Sequence, residues 1–493
     1  MISCFPIGPA SPRHHSSKQR AILIASRRVA TQHSGSMFIF LIAFLCAAQG
    51  WLWGQADSRP PLRVIRYEED WGFLAKSGQR TDPFDRVKWV RLAPDLHFSF
   101  GGETRQRFES FRNEDWATNE PGFDPFLLQR YMMHGELRWR KNVRWFGQLK
   151  AGLQTGRDAG PRPVDTNRLD LHQAFVEILP HPRSSALLRV GRQEVSLGSG
   201  RLVAIREGPN VRLSFDGVRV IATRRRWNVS LLALRPVQTN PGFFDDSPEH
   251  RQALIGAYTT AELSKREPRK LDLYYLWLGR SRARFHSGTG PEERHSLGLR
   301  LSGKRSAIDW DYEGVAQFGS FRDQRIRAWT VGTNTGYTFE HIKWKPRIGL
   351  KADYTSGDAS PGDGRLGTFH ALFPKGNYFS QADVLGPYNL IDLHPTLNLE
   401  IGRGFSIVHD VDLFWRASTR DGLYNVPGIP IIAPGNSNAR YVGHGVNFGF
   451  DWKVNRNLTL EGEYQRLLPG RFLRDTGRKS TIDFVALWAT FRF

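Results

Sequence analysis

Apolar and polar residues alternate along most of this chain with a period of two. Leu137 and Trp139 fall on one side of this alternation. Glu136, Arg138 and Arg140 fall on the other. Side chains alternate across a β-strand, so each such segment has one apolar and one polar face. The pattern predicts an all-β fold: a soluble sandwich with its apolar faces inward, or a transmembrane barrel with them outward.

The alternation marks about seventeen to nineteen strand-like segments between Asp95 and Phe493. The segments are 95–109, 129–141, 143–155, 168–179, 185–195, 214–225, 227–236, 251–263, 269–280, 294–303, 306–321, 326–340, 343–355, 395–402, 405–417, 440–453, 457–467 and 481–493. Short turns separate many of them, and two longer connections stand out, 236–250 and 356–390. Long loops in a barrel are either constrictions or exposed flaps.

The N-terminal region favours the barrel over the sandwich. An uncharged apolar run from Met37 to Ala48 follows five basic residues and no acidic one. This arrangement is typical of a secretory signal peptide, and small residues favour cleavage after Ala56. The alternative is a membrane anchor, but the run is shorter than the roughly 20 residues that span a bilayer. Met37 is a candidate for the true start of translation.

The predicted organisation therefore has three parts. They are a signal peptide over 1–56, an N-terminal extension over 57–94 and a barrel over 95–493. Cys4 and Cys46 both precede the cleavage site, so the mature chain has no thiol for a disulfide, a metal site or a nucleophile. It keeps 64 of the 69 Lys and Arg residues against 48 Asp and Glu, a net charge of about +16.

The C-terminus also favours an outer-membrane barrel. One face of the last segment is apolar up to the final residue, with Val485, Leu487, Ala489, Phe491 and Phe493. Outer-membrane barrels end on a similar strand, whose terminal aromatic residue the barrel-assembly machinery reads; the alternative is an ordinary strand that happens to end in Phe. Interfacial aromatic girdles are also expected, from Trp145, Trp277, Trp452 and Trp488.

A barrel with apolar residues outside has an ionic interior. Glu103, Arg105 and Arg107 oppose the apolar face that holds Phe98 and Phe100, so we predict a mixed lumen with basic residues in excess. A basic channel attracts anions, and arginine binds carboxylates through two parallel hydrogen bonds. The alternative is that the surplus cations lie on loops and bind lipopolysaccharide phosphates.

Other function classes find little support. The pI of about 10.2 is compatible with nucleic-acid binding, but basic residues on alternating strands behind a signal peptide disfavour it. No Gly-x-Ser-x-Gly elbow is present, and the histidines lack a paired metal-ligand spacing. The histidines considered are His172, His181, His370, His394, His409 and His444. We predict no catalytic residue, no metal and no cofactor.

One block carries a family resemblance. Residues 189–220 read RVGRQEVSLGSGRLVAIREGPNVRLSFDGVRV, which closely resembles the signature block of the alginate-export family of outer-membrane barrels. Shorter stretches match in order: Arg235-Pro236-Val237, Phe244-Asp245-Asp246, Tyr354 to Asp358, Phe373-Pro374, Phe414-Trp415-Arg416 and Asp421 to Tyr424. The resemblance extends from about residue 90 to the end of the chain.

The resemblance implies an 18-stranded barrel with an electropositive pore that passes an anionic uronic-acid polysaccharide outward by diffusion. Positions of the block that could contact such a chain are Arg189, Arg192, Gln193, Glu194, Arg201, Arg206, Glu207, Asn210, Arg212 and Asp216. Arg189 and Arg192 have opposite parity on one strand, so not all of them can face the lumen. We expect Glu207 and Asp216 to pair with arginines rather than gate substrate. The block's glycines are expected at turns and bulges.

The predicted pore lining combines this set with residues on the polar faces of the first strands, namely Arg105, Arg107, Arg138, Arg140 and Lys150. The first hypothesis is a passive outer-membrane exporter of acidic polysaccharide such as alginate. The alternatives are an anion-selective porin for small carboxylates or phosphates, and a non-conducting barrel enzyme or anchor. Expected partners are the polysaccharide, outer-membrane lipid and lipopolysaccharide, and the assembly machinery through Phe493.

Overall fold

A closed antiparallel barrel of eighteen strands forms the body of the protein. The computed structural model describes residues 59–76, 78–116, 122–181 and 184–493. The barrel strands are β1 Leu96–Arg112, β2 Phe123–Trp139, β3 Val143–Thr155, β4 Asn167–Ile178, β5 Ala186–Gln193, β6 Phe215–Arg224, β7 Trp227–Gln238, β8 Gln252–Ser264, β9 Arg269–Phe285, β10 Gly288–Arg305, β11 Ile308–Phe321, β12 Gln324–Thr338, β13 Arg347–Thr355, β14 Leu390–Gly402, β15 Phe405–Arg416, β16 Tyr441–Lys453, β17 Leu458–Pro469 and β18 Ile482–Arg492.

The first and last strands close the sheet. Each strand pairs with its neighbour in the chain, and β18 pairs with β1 from Glu103 opposite Arg492 to Arg112 opposite Asp483. Closure leaves no unpaired sheet edge, which a bilayer would penalise by several kcal/mol for each backbone group. The predicted all-β transmembrane barrel is confirmed. The predicted signal peptide, with Cys4 and Cys46, lies outside the described residues.

The two faces of the wall follow the predicted parity. On β3, Trp145 and Leu149 point outward and are exposed, whereas Gln148 and Lys150 point inward and are buried. Leu297 on β10 is 51% exposed on the outer surface. An apolar outer face and a polar inner face are what a bilayer selects in a barrel.

Several strands, including β9 and β10, are longer than the sequence pattern predicts. β9 continues to Phe285 and β10 begins at Gly288, so two residues connect them where the prediction left 281–293 as a loop. In this extension Arg282 and Arg284 face outward, while Phe285 is buried inside. The prediction looked for strands with apolar residues on the outer face. It missed this extension because a bulge follows Arg280 and because the polarity of the two faces is reversed.

The expected tryptophan girdle is partly wrong. Trp145 and Trp452 lie exposed on the outer surface, as predicted. Trp488 instead faces into the barrel, where the Arg107 guanidinium lies 4.6 Å from the centre of its ring. Leu487, the preceding residue, is exposed on the outer face. Adjacent residues of a strand point to opposite faces, so Trp488 cannot belong to the girdle.

The two ends of the barrel differ in their connections. We call the end where β1 begins and β18 ends the near end, and its opposite the far end. The long loops lie at the far end and cover 194–214, 239–251, 356–389, 417–440 and 470–481. Short elements lie outside the barrel strands. The N-terminal extension contains 3-10 turns Arg66–Glu68, Gly72–Ala75 and Pro83–Val87 and strand Val90–Ala93. The far-end connections contain 3-10 turn Glu114–Trp116, strands Ser247–Pro248, Arg365–Leu366, Leu423–Tyr424 and Pro430–Ile432, and helix α1 Arg471–Asp475.

The far half of the interior holds an apolar core. Inward residues of β7–β12, such as Leu254, Leu276 and Phe321, pack with Val203 and Phe373 from two of the long loops. The expectation of an ionic interior is therefore wrong for this region. No helix among the described residues combines the length and the apolar character needed to cross a membrane.

The outer apolar face provides a stability test. We expect Leu297→Arg to lower the free energy of unfolding in phospholipid vesicles by about 2–4 kcal/mol, because the charge would enter the hydrocarbon layer. Leu263→Arg, at the near end of β8, is the matched control and should cost less than about 1 kcal/mol. Equal losses in the two variants would place Leu297 outside the hydrocarbon layer.

Candidate channel lumen

Arginines from the first strands and the last strand converge inside the barrel. Arg105 and Arg107 on β1, Arg130 on β2, Arg189 on β5 and Arg492 on β18 face inward by strand parity. The first four are at most 4% exposed. We call these five residues the arginine sector. Because a buried guanidinium is costly without partners, their partners define the site.

Residues 194–214, which we call the crossing loop, fold from the far end into the lumen. Arg105 donates three hydrogen bonds of 2.8 to 3.1 Å to consecutive carbonyl oxygens of this loop, at residues 207–209. On the opposite wall, Ser199 donates to Glu313 of β11 at 2.9 Å, and Arg201 pairs with Asp353 of β13. The crossing loop therefore spans the interior from β1 to β13.

Glycines shape this loop and its flanks. Gly198 and Gly200 have φ of +56° and +77°, the left-handed region that favours glycine, and they form the predicted turn. Gly191 and Gly217 face each other across β5 and β6, and a Cβ on either would collide with a neighbouring backbone carbonyl. The predicted structural role of these glycines is confirmed.

Glu207 is the centre of the largest charge network. It pairs with Arg130, with Arg212 at 3.2 Å and with Arg492 at 3.5 Å. Burial raises the pKa of Glu207, but Arg130 and Arg212 outweigh this effect and hold it below the ordinary value. A carboxylate from the crossing loop is thus fixed against the arginine sector, in the pairing role expected for Glu207.

Glu194 and Arg212 join the crossing loop to the N-terminal extension. Arg212 binds the Glu194 carboxylate at 2.6 Å and donates to the carbonyl oxygen of Val64 at 3.0 Å. The Tyr67 hydroxyl donates to the carbonyl oxygen of Glu194 at 2.8 Å, and Glu194 also contacts His172 at 2.9 Å. The extension therefore lies inside the lumen, a point that the sequence left open.

The extension fills the near half of the barrel beside β1–β5. Arg66 donates to the backbone oxygens of Gly102 and Phe493, at 2.9 and 2.7 Å. Lys88 is 1% exposed, with its Nζ 4.7 Å from the centre of the Trp71 ring. Among the described residues the Lys88 Nζ has no hydrogen-bond partner. Burial, and secondarily the nearby Arg66, lower the pKa of Lys88 to about 7.

Most predicted pore residues are engaged in ion pairs. The pairs are Arg107–Glu109, Arg138–Glu136, Lys150–Asp246, Arg189–Glu177, Arg192–Asp216, Arg201–Asp353 and Arg212–Glu194. Arg192 and Asp216 have the same parity as the exposed Val190 and Val218 and point outward, so the prediction that they line the pore is wrong. Arg140 lies exposed at the near end beside Asp95.

The remaining predicted residues bind backbone oxygens. Asn210 donates to the carbonyl oxygens of Gln129, Leu153 and Asp165 at 2.8 to 3.2 Å, and so fastens the crossing loop to the wall. Gln193 donates to the carbonyl oxygens of Gly191 and Gly217. Arg206 donates to the carbonyl oxygen of Pro374.

Loop 356–389 packs on the crossing loop from the far side. Phe373 forms an isolated parallel bridge with Val203, and its N–H donates to Leu202 at 2.7 Å. The Arg107 guanidinium donates to Gln381 of the same loop at 3.0 Å. This loop was predicted as a constriction or a flap, and it lies inside the barrel as a second layer above the crossing loop.

An acidic sector, which the sequence analysis did not identify, lies on β14–β17. Its inward carboxylates are Asp392, Asp410, Asp412, Glu461 and Glu463. Within the described part of the chain none of them forms an ion pair with Arg or Lys. The alternation of apolar and polar residues places each of these carboxylates on the inner face of its strand. That they lie side by side can be recognised only when the neighbouring strands are aligned. The lumen is mixed in charge, as predicted, and its two signs are separated into an arginine sector and an acidic sector.

Comparisons with known proteins agree with this architecture. The family model described as "Alginate export" matches residues 97–486. No curated protein matches the chain. Similar solved structures include OccK11 (OpdR) of Pseudomonas aeruginosa, with 13% identity and a TM-score of 0.52, covering 80% of this chain and 96% of that one.

Two further structures show the same fold. OccAB4 of Acinetobacter baumannii has 8% identity and a TM-score of 0.54, covering 80% of this chain and 98% of that one. The structure of Pseudomonas aeruginosa OpdK with vanillate has 9% identity and a TM-score of 0.53, with coverage of 80% and 98%. At such identities the likeness concerns the barrel fold alone.

The anchoring of the crossing loop can be tested at Arg105. We expect Arg105→Ala to lower the free energy of unfolding by about 1–3 kcal/mol, because three loop carbonyls lose their buried donor. Arg140→Ala is the control, since its exposed pair with Asp95 contributes less than about 1 kcal/mol. Denaturant titration of the two variants measures the difference, and equal losses would contradict the anchoring role.

The buried Lys88 predicts a pH dependence. Its pKa of about 7 in the folded chain lies below the unfolded value of roughly 10.4, so above pH 7 the unfolded chain binds the extra proton. Stability should rise from pH 7 to about pH 10, by at most about 1.4 kcal/mol per unit, and be independent of Lys88 below pH 7. Lys88→Met should flatten this rise in urea titrations. An unchanged slope would mean that Lys88 is solvated.

Proposed function

The chain belongs to the alginate-export family, and on that basis we propose that it is an outer-membrane channel for an anionic polysaccharide of the uronic-acid type, such as alginate. Transport would be passive diffusion through the barrel, with the far-end loops outside the cell. The charged inner wall and the apolar outer face support a channel more than an enzyme. We also propose outer-membrane lipid and lipopolysaccharide as surroundings, and assembly through the C-terminal strand that ends at Phe493.

The observation that carries the proposal is the convergence of four members of the arginine sector on the crossing loop, namely Arg105, Arg107, Arg130 and Arg492. A guanidinium offers a planar fork of donors that matches a carboxylate, which is the repeated charged group of a uronic-acid chain. Protein carboxylates such as Glu207 and Glu177 now occupy these forks. A passing uronate would exchange with them one pair at a time, so that no arginine is left without a partner during passage.

A second candidate is a porin for small carboxylates or phosphates. The N-terminal extension and the crossing loop both lie inside the barrel, which favours solutes smaller than a polymer. The structure of OpdK with vanillate shows that a barrel of this fold accommodates a small aromatic carboxylate. Both candidates use the arginine sector, and they differ in the size of the anion.

Planar-bilayer recording of the folded chain tests both candidates. The reversal potential under a salt gradient should show anion selectivity, and uronate oligomers should block the current if the polysaccharide is the substrate. Block by small carboxylates alone would favour the porin. A folded barrel without conductance would contradict both.

Variants locate the selectivity within the lumen. Neutralising Arg189, Arg201 and Arg212 to Gln should lower anion selectivity, because each leaves a buried partner carboxylate uncompensated. Arg140→Gln, at the exposed near end, is the control and should leave the reversal potential unchanged. If the triple variant keeps the wild-type reversal potential, the selecting charges lie outside the pore.

A further inference from the structure

One cluster of the acidic sector has the composition of a metal site. Asp392 and His394 lie two residues apart on the inner face of β14, and Asp412 lies on the inner face of the neighbouring β15. One ligand atom from each of the three falls within 4.8 Å of the others. All three residues are at most 1% exposed. Three potential ligands are thus presented by two adjacent strands of a rigid wall.

The imidazole of His394 is oriented as in metal-binding histidines. Its Nε2 lies 3.0 Å from Asp410 Oδ1, and its Nδ1 lies 2.5 Å from Asp412 Oδ1 and 3.8 Å from Asp392 Oδ2. A carboxylate that accepts the Nε2 proton fixes the tautomer and leaves the Nδ1 lone pair for a metal. Asn447 supports the arrangement by donating to Asp412 Oδ2 at 2.7 Å and to Asp410.

Asp392 supplies an independent indication. Both of its carboxylate oxygens lack a hydrogen-bond partner, although the residue is 1% exposed and its side chain points at His394. An isolated buried carboxylate is strongly unfavourable, and a cation bound beside Asp392 would remove this cost. Among the described residues Lys351, opposite His394 on β13, makes no ion pair with Asp392 or its neighbours.

The other nearby charges are already occupied. Asp353, directly opposite Asp392 on β13, pairs with Arg201 of the crossing loop. Protonating His394 would supply one positive charge for Asp410 and Asp412 together, and would still leave Asp392 without a donor. A cation between the Nδ1 atom of His394 and the two aspartates would supply the missing positive charge.

We propose that Asp392, His394 and Asp412 bind one divalent first-row metal cation, such as Zn²⁺ or Mn²⁺, in the wall of the lumen. One imidazole nitrogen combined with carboxylate oxygens suits these ions, whereas Ca²⁺ and Mg²⁺ prefer oxygen ligands alone. Zn–N and Zn–O bonds of about 2.0–2.2 Å bring ligand atoms to roughly 3.4 Å from each other. This spacing lies between the 2.5 Å and 3.8 Å that separate His394 Nδ1 from Asp412 Oδ1 and from Asp392 Oδ2. The ion would join β14 to β15 and neutralise the acidic sector beside the crossing loop.

Calorimetry on the full chain, folded in detergent and stripped with a chelator, tests the proposal directly. Titration with ZnCl₂ and with MnCl₂ should each give one bound ion per chain and a higher unfolding temperature. Asp392→Asn and Asp412→Asn should each weaken binding by at least about tenfold, and Asp410→Asn by about 10- to 100-fold through loss of the imidazole orientation. Electron spin echo spectra of bound Mn²⁺ should show coupling to one imidazole nitrogen, which His394→Gln removes.

A matched control distinguishes this site from general acidity. Asp451 also faces into the barrel, on β16, and lies outside the cluster, so Asp451→Asn should bind Zn²⁺ like the wild type. Asp392→Asn relieves a buried charge, and its metal-free form should unfold at or above the wild-type temperature, which shows that lost binding is not lost folding. Absence of one-to-one binding, equal affinity in Asp392→Asn, or a response to Ca²⁺ and Mg²⁺ without nitrogen coupling would each overturn the proposal. None of these results depends on conductance or on the transported anion.

Discussion

The interior of this barrel depends on one constraint: each charge that strand parity turns inward must find a partner there. The outer face of the sheet is committed to lipid, so an inward guanidinium such as Arg105 or Arg130 cannot move to solvent by rotating outward. The crossing loop resolves this problem by entering the lumen with backbone carbonyls at 207–209 and the Glu207 carboxylate. The signature block of the sequence is therefore the counterpart of the arginines on the wall.

The same contacts explain why the N-terminal extension lies inside. The Val64 carbonyl oxygen accepts a hydrogen bond from Arg212, and the Tyr67 hydroxyl donates one to the carbonyl oxygen of Glu194. The extension thus provides partners that the crossing loop itself does not supply. The stacking of the Arg189 guanidinium over Tyr67, 4.0 Å from the ring centre, adds a cation–π contact in the same region. Wall, loop and extension thus form one charge network, and each part contributes groups that the others need.

Parity let the sequence predict the closed barrel and the inward arginines Arg105, Arg107 and Arg138, whereas Arg130 and Arg492 were not predicted. It did not reveal the partners of those arginines, because Glu207 reaches Arg130 through a loop whose path depends on tertiary contacts. Parity also failed where polarity reverses, as at Phe285 inside β9. His394 was passed over because its ligand-like neighbour Asp412 is distant in sequence and adjacent only across two strands.

The net charge of the chain does not give the charge of the lumen. Several arginines that contribute to the excess of basic residues are exposed and point outward at the far end, where they face the outer leaflet or water. They are Arg282, Arg284, Arg325 and Arg327. Inside, the arginine sector is largely balanced by paired carboxylates, while the acidic sector lacks arginine or lysine partners within the described residues. A solute in the lumen therefore lies between two walls of opposite character, and a cation held by the acidic wall would shift that balance toward anions. The charge that the lumen presents to a solute depends on which charges are already paired, rather than on how many of each sign the chain contains.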